Sequence, residues 1–296
     1  MDWDDFRLFS ALAASGSVRG AAEQMGVNPS TVTRRLDQLE QHLGVRLFER
    51  SQRGLRLSPQ GAAVEDQIAD VGRQINGIER ALLGLDQRLE GQIRFAVPDI
   101  LAIEFLLDAL GEFTARYPDI DLQIIPSYQE LDLKLSEVDV AIRATDNPPQ
   151  TMIGRPLTRV ALAAYSTRDL ASRWHAGEEL DLLPWVDWVG SGEVMLLYKN
   201  LQERFFPQAR VQLRCGQIQM HHTAVRGEIG AGILPCFLAD DDPMLTRLTQ
   251  MPLQLGPTLW LLSHPDLRGA RRIQVFLEFV RNVFTDRTSW LLGESS

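Results

Sequence analysis

Apolar residues recur at helical spacing through the first 45 or so positions and predict three short helices. From Trp3 to about Ala14, Phe6, Phe9 and Ala13 make a stripe with Leu8 and Leu12 beside it, a helical period and not the alternation of a strand. Ser15 and Gly16 end this helix, and Ser17 is placed to cap the next. The second carries Val18, Ala21, Ala22 and Met25, with small alanines that allow close helix approach. Gly26-Val27-Asn28 then reads as a turn, Gly26 suiting the left-handed position past a helix end. Pro29 or Ser30 opens the third helix, because the N–H that proline lacks has no intrahelical acceptor in a first turn. Val32, Leu36, Leu39 and Leu43 fall at i, i+4, i+7 and i+11 and are expected to face the core. The opposite face presents Ser30, Thr31, Arg34, Arg35 and Gln38. A strand over Arg46–Arg50, a turn over Ser51–Gly54 and a return strand over Leu55–Leu57 follow, a small β-wing with arginines on both sides of its tip.

Ser58-Pro59 is a helix start, cap then first turn. Beyond it Val64, Ile68, Val71, Ile75, Ile78, Leu82, Leu85 and Leu89 alternate steps of four and three, the heptad pattern of a coiled-coil seam. A helix running to Leu89 would extend about 45 Å at ~1.5 Å per residue, more than a domain of this size needs to cover itself. Dimerisation through this helix is therefore expected. Gly72, Gly77 and Gly84 each weaken it by about 1 kcal/mol, so the seam and not propensity must hold it.

After Gly91-Gln92 the pattern changes to short apolar strands separated by amphipathic helices. Strands are expected at Ile93–Val97, Ile120–Ile125, Val138–Arg143, Val160–Ala164, Val211–Cys215, Gly232–Pro235 and Leu259–Ser263. Helices are expected at Leu101–Arg116, near Glu193–Phe206 and Gln217–Glu228, and at Arg271–Phe284. Such alternation implies parallel pairing with both sheet faces covered.

Composition adds bounds. With 296 residues, 45% hydrophobic and 23% charged, the chain has the make-up of a globular protein of two or three compact units. The amino terminus MDWDDFRLF is acidic where a secretory signal is basic, and no apolar run approaches the ~18 residues of a membrane span. A cytoplasmic protein with reduced thiols at Cys215 and Cys236 is expected. Cys215, His221 and His222 do not make a metal site, because adjacent helical histidines diverge by ~100° and no second cysteine stands at ligand spacing. No phosphate-binding glycine loop, nucleophile elbow or paired-carboxylate motif suggests an enzyme, and neither cofactor nor metal is expected.

The net charge of −9 is at odds with nucleic-acid binding until its distribution is considered. Between Arg19 and Leu57 seven arginines (Arg19, Arg34, Arg35, Arg46, Arg50, Arg53, Arg56) stand against four acids (Glu23, Asp37, Glu40, Glu49), a modest excess suited to modules that act in pairs. Short hydroxyls at a helix start followed by guanidiniums are the side chains that reach base edges and phosphates from a helix in the major groove. Thr31 and Arg34 are thus candidates for reading bases, and Ser30, Thr33, Arg35, Arg50 and Arg53 for positioning on phosphate.

The ordered run Gly20-Ala21-Ala22-Glu23, Thr33-Arg34-Arg35-Leu36, Leu39-Glu40, Leu43-Gly44-Val45-Arg46-Leu47-Phe48-Glu49-Arg50 and Ser58-Pro59-Gln60-Gly61 resembles the winged helix-turn-helix of LysR-type transcriptional regulators. Thr33 departs from the serine more usual there but keeps the hydroxyl. Further along, Phe113 with Tyr117-Pro118-Asp119-Ile120, Val138–Arg143, Ala231–Pro235 and His264–Arg268 resemble the same family in order. The resemblance implies an α+β multidomain chain. A winged helix-turn-helix domain would occupy residues 1–58 and a long linker helix that pairs two DNA readers 59–90. A two-lobed α/β, periplasmic-binding-protein-like effector domain would occupy 91–296, with lobe one at about 91–161 and 265–290 and lobe two at 162–264. It implies binding of double-stranded promoter or operator DNA and of a small-molecule effector, dimers through the linker helix, and tetramers through the effector domains. A small-molecule binding protein of the same fold without a transcriptional role accounts for the C-terminal two-thirds and leaves the first 90 residues unexplained.

Open α/β sheets bind ligands at the carboxyl ends of their strands. That rule selects Pro98, Asp99, Ile100, Ser127, Tyr128, Arg143, Thr145, Ser166, Ser191 and Gln217 as effector contacts. Asp99 would repel a carboxylate, so the expected effector is neutral or carries a cation paired with it; the competing reading of Asp99 is an ordinary helix cap.

Overall fold

A computed structural model describes residues 3–51, 54–126, 138–175, 183–190 and 192–294 of the chain. The chain divides into two compact units, Met1–Leu82 and Leu83–Ser296.

The first unit contains α1 (Trp3–Ser15), α2 (Val18–Met25), α3 (Pro29–Leu43), the hairpin of β1 (Phe48–Ser51) and β2 (Gly54–Leu57), and most of α4 (Pro59–Gly84). Its core joins Leu8, Phe9 and Leu12 of α1 to Ala21 and Ala22 of α2 and to Val32, Leu36 and Leu39 of α3, with Phe48 of the wing packed against Phe9 at a tilt, 5.1 Å between ring centroids. Leu43 is not part of it and stands 38% exposed. It is the last residue of α3, one turn beyond Leu39, and Gly44 follows in the left-handed conformation at φ 69°.

The heptad positions divide their work. Val64 packs on, and Ile68 is buried in, the core of their own unit, whereas Ile78 and Leu82 are 62% and 68% exposed. The helix ends at Gly84, so its 26 residues run about 39 Å, and Leu85 and Leu89 lie past it. The cause lies within the second unit, to which Gly84 itself belongs. A Cβ on Gly84 would meet the Asp266 carbonyl oxygen at 1.9 Å, and Asp86 accepts from the Arg88 amide and guanidinium at 2.9–3.0 Å while its carbonyl accepts from the Arg271 N–H at 3.0 Å. These bonds replace another helical turn.

In the second unit, β3 (Gly91–Val97) leads into α5 (Asp99–Leu101), which passes through a π-helical turn at Ala102–Leu106 into α6 (Leu107–Arg116). There follow β4 (Ile120–Pro126), β5 (Val140–Ala144), β6 (Ile153–Thr167), α7 (Arg168–His175), β7 (Pro184–Trp188), α8 (Glu193–Phe205), β8 (Arg210–Cys215) and α9 (Ile218–Arg226). The chain closes with β9 (Gly232–Pro235), α10 (Cys236–Ala239), β10 (Leu245–Arg247), β11 (Gln254–Ser263), a 3-10 turn at Pro265–Leu267, α11 (Arg271–Asp286) and α12 (Thr288–Leu291).

The main sheet has the order β10-β6-β11-β5-β3-β4, with β9 also on β6, and β7 and β8 form a separate pair. Pairing is mixed, not wholly parallel. β3 is parallel to β4 and β5, and β7 to β8, but β6 is antiparallel to β9, β10 and β11, and β11 to β5. An apolar run such as Val160–Ala164 shows that a strand is buried but carries no sign of its direction. The long β6 and β11 join two cores. In one, Phe276 of α11 meets Phe95 and Phe113 edge-on at 5.0 and 5.1 Å, so the last long helix returns to the lobe where β3 begins. In the other, Trp185 lies on Phe206 at 4.8 Å, with Leu170, Leu201 and Leu248 around them.

Candidate functional site

Local capping sets the α2–α3 corner. The Ser17 hydroxyl accepts the Gly20 N–H at 3.0 Å, Gly26 turns left-handed at φ 66°, and Pro29 sits in the first turn of α3. On the outer face of α3, Ser30 and Arg34 are exposed and Thr31, Thr33 and Arg35 half-buried. The Thr33 hydroxyl donates to the Pro29 carbonyl at 3.2 Å. Arg35 is held by Asp4 at 3.2 Å, whereas Arg34 makes no ion pair among the described residues. Arg50 lies on β1 opposite Leu55, and Arg53 lies outside the described residues.

The sequence pattern did not single out Glu40. It is buried, accepts the Leu47 and Phe48 N–H groups at 2.7 and 3.1 Å, and pairs with the Arg46 guanidinium at 2.9 Å. The wing is thereby tied to the helix that precedes it. Ser58 completes the corner, donating to the Arg46 carbonyl at 2.6 Å and accepting the Gly61 N–H at 3.0 Å. Gly61 has to be glycine there, since a Cβ would meet the Leu47 carbonyl oxygen at 2.2 Å.

In the second unit a cavity of about 460 Å³ opens between the two cores, within the ~300–1,000 Å³ usual for small-molecule sites. Pro98, Asp99 and Ile100 line it where β3 meets α5, Arg143 at the end of β5, and Gln217 before α9. The Asp99 carboxylate accepts the Ile100 N–H at 2.8 Å. Two other expected contacts do not reach the lining. Thr145 donates to the Glu193 carboxylate at 2.8 Å, and the same carboxylate takes the Asp146 N–H at 3.0 Å, which ties the end of β5 to the start of α8. Ser166 is fully buried beside β10, opposite Thr246, its hydroxyl donating to the Thr167 carbonyl at 3.0 Å. Because β6 runs antiparallel to its neighbours, the middle of the strand, Val160 and Leu162, faces the cavity and its carboxyl end lies elsewhere. Ser127, Tyr128 and Ser191 lie outside the described residues.

The lobe-two wall consists of residues that strand-end reasoning passed over, chiefly Trp188, Val194, Met195 and Tyr198. The run PWVDW and the apolar side of α8 were the available signals. Trp188 packs on Tyr198 at 4.8 Å and on His221 at 4.5 Å. His221 is fully buried, and burial pushes its imidazole down to about 4, the nearby Val186 backbone offsetting only part of that. Burial raises the Tyr198 phenol well above its usual range. Cys215 and Cys236 are buried free thiols, both raised by burial. Among the described residues no helix is long and apolar enough to cross a membrane.

Residues 86–285 match the family model for the LysR substrate binding domain, and residues 3–62 the model for the bacterial regulatory helix-turn-helix protein, lysR family. An HTH-type transcriptional regulator of Xanthomonas campestris pv. campestris is 31% identical over 179 residues, 60% of this chain and 52% of that protein, so the chain spans about half the length of that relative. The Mau operon transcriptional activator of Paracoccus denitrificans is 27% identical over 284 residues, 92% of this chain and 94% of the activator. Among solved structures, the full-length Vibrio cholerae virulence activator AphB aligns with a TM-score of 0.58 at 19% identity, covering 95% of this chain and 99% of that one. ArgP from Mycobacterium tuberculosis aligns with a TM-score of 0.60 at 19% identity, covering 96% and 98%. At these identities the two structures speak to the fold.

Proposed function

The chain belongs to the LysR family of transcriptional regulators, and from that premise we propose how its own residues divide the work of reading DNA and sensing an effector. In this reading Thr31 and Arg34 contact base edges. Ser30, Thr33, Arg35, Arg50 and Arg53 hold the module on phosphate, and α3 enters the major groove by its first turns. The observation that carries the assignment is Arg34, an exposed guanidinium without an ion pair among the described residues on a helix that Pro29 opens and a left-handed Gly44 ends.

The cavity lined by Asp99, Arg143 and Tyr198 is proposed as the effector site. An effector there acts by its differential affinity for arrangements of lobes and subunits, and so on the spacing of paired DNA readers. The Ile78 and Leu82 stripe of α4, exposed in a single chain, is proposed as the dimer seam, with tetramers formed through the effector domains. The protein works in the cytoplasm as a regulator, not an enzyme. A stand-alone binding protein is disfavoured because residues 3–62 match the DNA-binding family model.

A gel-shift titration over a set of single-base operator variants tests the division of labour. Arg34→Ala should weaken specific binding and relax one base position by ~1–3 kcal/mol, whereas Arg53→Ala should weaken all sequences alike and lower the salt slope by about one. Equal losses at every base position for both variants would refute it.

A further inference from the structure

The lining of the cavity specifies the chemistry of its occupant, on the reading just given that this cavity is the effector site. Its described charged side chains are one acid and one base, Asp99 and Arg143, which together bring no net charge and oppose a lone anion or a lone cation alike. The lobe-two wall is broad and mostly apolar: Trp188, Val189, Val194 and Met195 stand on it, a surface that matches a flat ring system better than the many hydroxyls of a sugar.

One donor on this wall is left without an acceptor. The Tyr198 hydroxyl makes no hydrogen bond among the described residues although the side chain is only 5% exposed. Buried donors in proteins are nearly always paired, so a neutral hydroxyl on the wall of a cavity calls for an acceptor from its contents. The phenol is kept protonated by its burial and remains a donor at any working pH.

We propose that the effector is an uncharged, largely apolar molecule of aromatic breadth that carries an acceptor oxygen, the oxygen bound by the Tyr198 hydroxyl and the ring laid against Trp188 and Met195. A carboxylate brings a charge that a lining holding one acid and one base, Asp99 and Arg143, leaves uncompensated. A dicarboxylate or a sugar leaves polar groups facing the apolar wall.

Isothermal titration of the full chain with four probes tests this: 2-naphthamide, 2-naphthoate, 2-naphthylmethylammonium and succinate. The amide should bind at least ~10-fold more tightly than any charged probe. Tyr198→Phe should weaken amide binding about 3- to 10-fold, the loss of one hydrogen bond, while the melting temperature without probe stays put, because the hydroxyl has no partner in the protein to lose. Tighter binding of naphthoate, the ammonium or succinate, an unchanged amide affinity in Tyr198→Phe, or no binding of any probe would overturn the proposal. Met195→Trp, which fills the cavity, separates the two readings. A charged probe whose binding Met195→Trp abolishes leaves the cavity as the site and sinks only the uncharged class, whereas amide binding that survives Met195→Trp unchanged sinks the site itself.

Discussion

Glu40 Oε1 accepts the Leu47 N–H at 2.7 Å, and through that bond a buried carboxylate on α3 fixes where the wing begins. The same side chain takes the Phe48 N–H and the Arg46 guanidinium, and Phe48 in turn packs on Phe9 in the core. Removing the carboxylate leaves two buried N–H groups without a partner. Hydrogen bonds to a charged group are worth ~1.5–3 kcal/mol each, and Glu40→Ala should destabilise the N-terminal unit by about 3 kcal/mol in urea unfolding. Glu40→Gln keeps one acceptor oxygen and should cost about half as much. If both variants unfold at the wild-type midpoint, the wing is not held in this way.

Arg35 and Asp4 make the opposite kind of pair. Both side chains are substantially exposed and lie 3.2 Å apart, so the pair adds little stability, ~0–1 kcal/mol, but Asp4 occupies a guanidinium assigned to phosphate. Asp4→Asn should leave the melting temperature nearly unchanged and tighten DNA binding by up to ~5-fold at low salt, the gain fading as salt is added. A fluorescence-anisotropy titration at two salt concentrations measures both, and weaker binding at either would contradict the competition.

These two pairs show where a one-dimensional reading reaches and where it stops. Ser17, Gly26, Pro29 and Ser58 were legible because a cap is decided within a few residues, and α1 to α3 followed from the spacing of Leu8, Leu12, Val32 and Leu36. Glu40 enters the sequence reading only as one of four acids set against seven arginines and as part of the Leu39-Glu40 run. Its burial depends on the backbone of Leu47 and Phe48 folding back over it, which the spacing of side chains does not encode. Ile68 shares its period with Leu82, yet one lies in its own core and the other outside it, because periodicity fixes a face and not what covers that face. Pro98, Asp99, Ile100, Arg143 and Gln217 were reachable by the strand-end rule. Ser166 was misplaced by that rule because it assumes a strand direction that β6 does not have. Trp188 and Tyr198 reach the cavity only through the pairing of β7 with β8 and the packing of α8, both non-local.

His221 makes the second unit sensitive to acid. Its imidazole is pushed down to about 4 by burial, below the ordinary value near 6.5, so the unfolded chain binds the proton more readily than the folded one. The stabilising contribution of the neutral ring is complete above about pH 6.5 and is lost as pH falls toward 4, by ~3 kcal/mol in all. His222, also lowered by burial despite Asp242 at 3.1 Å, adds in the same direction. His221→Phe should therefore flatten the fall in melting temperature between pH 6.5 and 4.5 relative to wild type. A wild-type slope in that variant would place the acid sensitivity elsewhere.

Three helical glycines are predicted to behave differently. An added Cβ at Gly72 or Gly77 meets nothing within 4 Å in a single chain, and alanine there should gain up to ~1 kcal/mol of helix stability. At Gly84 the Cβ would be 1.9 Å from the Asp266 carbonyl oxygen, a backbone atom that cannot step aside cheaply. Gly84→Ala should lower the melting temperature of the second unit, reversing the sign expected from propensity alone. Calorimetry of the three single variants checks the ordering, and a stabilised Gly84→Ala would show that the contact with Asp266 yields.

The heptad stripe of α4 separates into a buried half and an exposed half, and the two should respond to different measurements. Ile68, 6% exposed and packed among Leu12, Leu36 and Leu47, is core, and Ile68→Ala should cost the N-terminal unit about 2–4 kcal/mol in urea unfolding. Leu82 is 68% exposed and touches no core of its own, so Leu82→Asp should leave the urea midpoint of an already monomeric sample unchanged. Sedimentation velocity should instead find that Leu82→Asp dissociates at concentrations where the wild type stays associated, because a carboxylate at a seam position must be desolvated against its own symmetry mate. DNA affinity should then fall with the loss of the second reader, far more than one module's contacts explain. If Leu82→Asp sediments as the wild type does, the exposed stripe is not the seam and the two readers are paired through another surface.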